Sequence, residues 1–184
     1  MKKPILLLVL LSGWTLHAQT TNTPRTYFEA YNDAFDAPLV KGMSVIGTLN
    51  NQVDFPVEIR AEMLTNLQTS NSVYAVALRT RVGGKQMAVD IIDYDELDGF
   101  IRGIQLISQT TQSPVATDGF EAAYRTRCGL SLLKVSDGAK ATILMKSGDP
   151  LGSRNRMAAF VLDDLVRYLT AAKAKLDTLA SAGQ

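Results

Sequence analysis

The stretch MAVDIIDYDELDGFIRGIQLISQ, residues 87–109, decides how the rest of the chain is read. It starts as a short alternating run, breaks at an acidic turn and continues as a helix. The helix follows from spacing: Leu97, Phe100, Ile101, Ile104 and Ile107 recur at intervals of three and four and form one apolar stripe. Asp93 and Glu96 have capping-box spacing. Asp95 and Asp98 place negative charge in the first turn, where the helix dipole favours it. Gly99 and Gly103 cut against this pattern, since glycine inside a helix costs about 1 kcal/mol relative to alanine. Lying one helical turn apart, they leave a groove that another backbone can approach closely, and that groove is a candidate ligand-binding feature.

The acids Asp90, Asp93, Asp95, Glu96 and Asp98 invite a metal reading. A calcium loop counted from Asp93 needs glycine at its sixth position and glutamate at its twelfth. The chain has Asp98 and Ile104 there. No metal site is expected, and the acids read as the solvated start of a helix.

Outward from this stretch the chain alternates. Upstream, residues 27–35 are weakly helical, and residues 39–49 alternate loosely around Gly42 and Gly47, which suggest a bulge or a sharp curve. Residues 53–63 alternate cleanly, with Val57, Ile59, Ala61 and Met63 opposite Glu58, Arg60 and Glu62. Residues 72–82, a Gly83-Gly84 hairpin and residues 86–92 complete a four-stranded meander. Downstream, strands over 120–127, 130–135 and 141–147 lead into a helix that spans residues 154–180. Its Leu162, Leu165, Leu169, Ala172, Leu176 and Leu179 have heptad spacing, which suits a core-facing helix and also a homodimer through that helix. The expected fold is α+β: a curved antiparallel sheet of about seven strands with two main helices, in the order of a duplicated ββββα unit.

The two ends carry different information. Lys2 and Lys3 precede ILLLVLL (residues 5–11), and Leu16-His17-Ala18 ends in a small residue. That is the pattern of a secretory signal, too short for a transmembrane span. The expected division is a signal peptide over 1–18, a flexible or weakly helical lead-in over 19–38, and one α+β domain over 39–184. The mature protein is expected to be periplasmic or secreted, with no transmembrane span. Without Lys2 and Lys3 the chain has 17 basic residues against 18 acidic ones, so nothing points to nucleic acid or another polyanion.

The only histidine, His17, lies inside the leader. Serine and cysteine nucleophiles paired with histidine are therefore excluded from the mature chain, as is histidine-ligated zinc. Cys128 is the single cysteine, so no intrachain disulfide can form, and a buried thiol is expected. The segment GDPLGSRNR (148–156) precedes a helix start but lacks the phosphate-loop pattern. Gly152-Ser153 has no histidine to activate it. No cofactor and no catalytic residue is assigned.

Candidate binding residues come instead from strand faces. Arg79 and Arg81 share one side of a strand in the first half, and Arg125 and Arg127 do so in the second. A topology that joined the two pairs, with Lys85 or Lys134 nearby, would make an anion-binding surface.

The order of four strands, helix, three or four strands, helix resembles the duplicated ββββα plan of the Whirly and related single-stranded-DNA-binding proteins. The resemblance implies the plan alone, because the charge balance and the leader argue against nucleic acid. Separately, IDYDELDGFIRGIQLI followed by FEAAYRTR resembles a segment shared by uncharacterised exported bacterial proteins, which brings no activity and no site residues. The functional expectation is an exported, non-enzymatic binding or interaction module of the bacterial cell envelope. Its partner would be an unknown protein, lipid or small molecule. The alternatives are a histidine-independent enzyme working through carboxylates and a self-associating structural envelope protein.

Overall fold

Residues 26–33, 37–50, 55–82, 85–111, 118–138, 140–148, 154–157 and 161–182 are described by a computed structural model. The expected leader, the expected turn at Gly83-Gly84 and residues 149–153 lie outside the described residues.

Strands β1 (Leu39–Leu49), β2 (Val57–Asn66), β3 (Ser72–Val82) and β4 (Lys85–Asp93) form one antiparallel sheet in that order. Alternation in β2 fixes which side faces the core: Val57, Ile59 and Ala61 are buried on the inner face. Leu78 pairs with Ile59 and with Asp90 of β4, so the inner row continues across the sheet. β1 carries a bulge between Val45 and Gly47. A side chain at Gly47 would put its Cβ 2.3 Å from a ring carbon of Tyr168, so glycine lets the C-terminal helix close on the bulge.

Helix α1 (Tyr27–Asn32) lies on the outer face of this sheet. Thr26 and Glu29 cap it reciprocally, and Phe28 is buried among Leu64, Ala75, Ala77 and Ile91. After β4 a single 3-10 turn (Tyr94–Glu96) leads into α2 (Leu97–Gln109). Strands β5 (Phe120–Arg125), β6 (Ser131–Ser136), β7 (Ala141–Lys146) and β8 (Arg154–Met157) then make a second antiparallel meander. Helix α3 (Val161–Ala182) ends the described chain.

The expected helical stripe is the one that is buried. Leu97, Phe100, Ile104 and Ile107 of α2 join Leu162, Leu165, Leu169, Ala172 and Leu176 of α3 in one core. That core is closed by Val57, Ile59 and Ile92 on one side and Leu130, Leu132, Ile143 and Met145 on the other. The helices therefore lie between the two sheets, α3 against β1–β3 and α2 against β5 and β6. The heptad seam of α3 faces the core: Leu165, Leu169, Ala172 and Leu176 are fully buried there and Leu179 is partly buried.

The α+β class and the ββββαββββα order stand, and two details differ. Among the described residues the expected single curved sheet is two four-stranded sheets, eight strands in all. The chain leaves β4 through a helix, not a hairpin, so β4 and β5 each end a separate sheet. The C-terminal helix starts at Val161, and Arg154–Met157 forms β8 on β7. Met157 to Val161 are all apolar, so the sequence alone does not separate the strand from the helix that follows. Among the described residues no helix is long and apolar enough to cross a membrane.

Candidate functional site

The outer face of the first sheet is where the charged side chains of β2 and β3 come together. Register places Val45 beside Arg60, Met43 beside Glu62, and Glu58 beside Arg79. Glu62 is fully buried and holds two cations: its Oε2 lies 2.6 Å from Lys41 Nζ, and its Oε1 accepts from Arg79 Nη2 at 2.9 Å. Glu58 also serves two, pairing with Arg60 and, at 3.7 Å, with Arg81. The Arg60 guanidinium reaches toward β1, with Nη1 3.3 Å from Met43 Sδ. Lys41 Nζ sits 5.4 Å from the centre of the Phe28 ring. Helix α1 packs mainly on β3, β4 and β2, with its Phe28 ring under Lys41 of β1. Met43 and Val45, further along β1, are 54% and 60% exposed.

Arg125 and Arg127 belong to a different place. β5 ends at Arg125, whose Nε donates to Ser131 Oγ. Arg127 lies in the following turn and reaches the end of β4. Its Nη1 donates to Asp93 Oδ2 at 2.7 Å and its Nη2 to Asp95 Oδ2 at 3.0 Å. Its backbone N–H donates to Glu96 Oε1 at 2.7 Å, and its guanidinium covers the Tyr27 ring at 4.5 Å. Asp93, 2% exposed, also accepts from the N–H groups of Tyr27 and Phe28 at the start of α1. One carboxylate thus ties α1, β4 and the β5–β6 turn together. Burial holds the Glu96 carboxyl above its usual range, and its Oε2 has no donor among the described residues.

The two pairs are held by different groups: Arg79 and Arg81 by Glu62 and Glu58 of β2, Arg127 by Asp93 and Asp95, and Arg125 by Ser131. Lys134 is buried and donates to the Ser108 carbonyl at the end of α2, where a cation complements the helix dipole. Lys85 is exposed at the start of β4. The groove at Gly99 and Gly103 is filled from within. A Cβ on Gly103 would lie 2.3 Å from Tyr124 Cδ2, and one on Gly99 would lie 2.8 Å from the Tyr124 hydroxyl. The neighbour at these glycines is a β5 side chain, where the sequence leads us to expect another backbone.

Asp90 is buried between the sheets, accepting from Ser147 Oγ at 3.0 Å and from the Gly148 N–H at 2.7 Å. Cys128 is buried beside Thr126, and burial pushes its thiol up to about 11. The nucleophilic thiolate is therefore scarce at neutral pH. Native protein is expected to resist a thiol-reactive disulfide reagent at pH 8 and to release one equivalent of chromophore only on unfolding. Rapid native labelling would mark an opened site. Among the described residues no group of three or more acids and cysteines is placed to hold a metal ion.

No family model, no curated protein and no solved structure matches this chain.

The residues missed by sequence reasoning are Met43, Val45, Glu58, Arg60 and Glu62. A signal for the first two was present. β1 has apolar residues on both faces (Val40, Met43, Val45, Ile46), whereas β2 sorts cleanly, and an unsorted strand of that kind suits an edge.

Proposed function

We propose that this chain is an exported, non-enzymatic interaction module of the bacterial cell envelope, belonging with the exported proteins its central segment resembles. Its binding surface is the β1 side of the first sheet. One observation carries this reading: β1 is an eleven-residue edge strand with Met43 and Val45 exposed on a face where the other apolar residues are covered by α1. Export rests on the leader pattern of Lys2, Lys3 and the following apolar run. The non-catalytic reading is supported by how the buried carboxylates are used. Glu62, Asp90 and Asp93 each serve at least two structural partners, and a general acid or base needs a proton position open to substrate.

The test is photo-cross-linking in the intact envelope, with a benzophenone amino acid at Val45 and, as a control, at exposed Lys175 on α3. Discrete adducts from Val45 alone are expected. Adducts from Lys175 alone, or from neither position, would overturn the assignment.

A further inference from the structure

The proposed surface leaves open what kind of partner it takes, and the chemistry of β1 narrows that choice. An edge strand presents alternating backbone N–H and C=O groups that only another extended chain can satisfy in register. Proteins usually blunt such an edge with inward charges, proline or a bulge. Here the bulge lies at Val45/Gly47, the strand has no proline, and its single charge, Lys41, is drawn back onto Glu62. Among the described residues no strand pairs with β1 on its outer side.

Charge then selects among extended chains. A strand added beside β1 would set alternate side chains against Lys41, Met43 and Val45, with the Arg60 guanidinium lying over Met43. Glu58 is already shared by Arg60 and Arg81, and Glu62 by Lys41 and Arg79. Among the described residues Glu58 and Glu62 thus serve Lys41, Arg60, Arg79 and Arg81 between them, and the β1 sequence LVKGMSVIGTL contains no acid. A second copy of β1 would bring no carboxylate to this rim.

We infer that the β1 edge accepts an extended polypeptide segment bearing carboxylates on the outer face and an apolar residue beside Met43, added as a fifth strand. This rests on the interaction-module reading above and names the partner class of the same surface.

The probe is a fluorescein-labelled peptide, Glu-Thr-Val-Thr-Glu-Thr, titrated with the mature protein and read by fluorescence anisotropy. Two control peptides accompany it: Lys-Thr-Val-Thr-Lys-Thr, and the acidic peptide N-methylated at alternate residues. Saturable binding of the acidic peptide is expected, with both controls weaker by about tenfold or more. Met43→Glu, an exposed substitution that breaks no ion pair, should weaken the acidic peptide by about the same factor and favour the lysine peptide. Circular dichroism confirms that the variant is folded.

Equal binding of the lysine peptide would overturn the carboxylate requirement, and equal binding of the N-methylated peptide would overturn strand addition. A native mass that rises with protein concentration, together with exchange protection of β1 in the absence of peptide, would show a second copy on the edge and overturn the inference. So would no saturable binding of any peptide. If Val45 still cross-links in the envelope, only the partner class has failed; if it does not, the interaction surface has failed as well.

Discussion

Asp93→Ala should lower the unfolding free energy by about 3–5 kcal/mol, as expected when one partner of a buried ion pair is removed. The carboxylate is 2% exposed and accepts from Arg127 Nη1 and from the N–H groups of Tyr27 and Phe28. Its removal leaves the partly buried Arg127 guanidinium with Asp95 as its remaining carboxylate, and two backbone donors at the start of α1 without their acceptor. Helix α1 has six residues, too few to persist without tertiary contacts. It should detach, taking Phe28 out of its cluster with Leu64, Ala77 and Ile91. Urea unfolding measures the loss, and exchange at the α1 amides reports the detachment. Asp93→Asn keeps an acceptor and should lose less. A cost for Asp93→Ala below about 1 kcal/mol, with α1 still protected, would place the anchoring of that helix elsewhere.

Gly103→Ala should destabilise the protein by about 1–3 kcal/mol, the usual cost of overpacking a filled site. The sign is informative, because the same change in an open helix interior stabilises by about 1 kcal/mol. Here the new Cβ would lie 2.3 Å from Tyr124 Cδ2, and the ring cannot easily retreat. It also packs on Phe100, with centroids 5.7 Å apart. Tyr124→Ala alone should cost about 3–5 kcal/mol, by analogy with other large aromatic truncations. In that background Gly103→Ala should become neutral or stabilising, since the atom it struck is gone. A double-mutant cycle by urea unfolding reads the reversal. A stabilising Gly103→Ala in the parent protein would contradict the packing described between α2 and β5.

Periodicity made the elements legible and left their neighbours hidden. The α2 stripe and the Val57, Ile59, Ala61 alternation of β2 could be read directly, because burial of one face writes a period into the sequence. The division into two sheets could not, since a period of two reports which face is wet and says nothing about which strand lies alongside. β8 carries too short an alternation to stand out from the helix that follows.

The capping residues show the same limit. Asp93 and Glu96 have the right spacing, yet Asp93 binds the distant α1 N-terminus and Glu96 binds the Arg127 N–H. The working capping box is Thr26 and Glu29, whose Thr-x-x-Glu spacing is visible in the sequence. Arg79 and Arg81 were visible as a pair, but their carboxylates sit on β2 and are found only through the register. Arg127 was assigned to a strand that in fact ends at Arg125, so its direction could not be read.

The most direct test of the interaction surface is amide hydrogen exchange of the protein, alone and in a complex cross-linked through Val45. Added protection is expected along residues 40–45, with little change in α3. Unchanged exchange along β1, with new protection confined to other elements, would contradict the assignment of this edge as the binding surface.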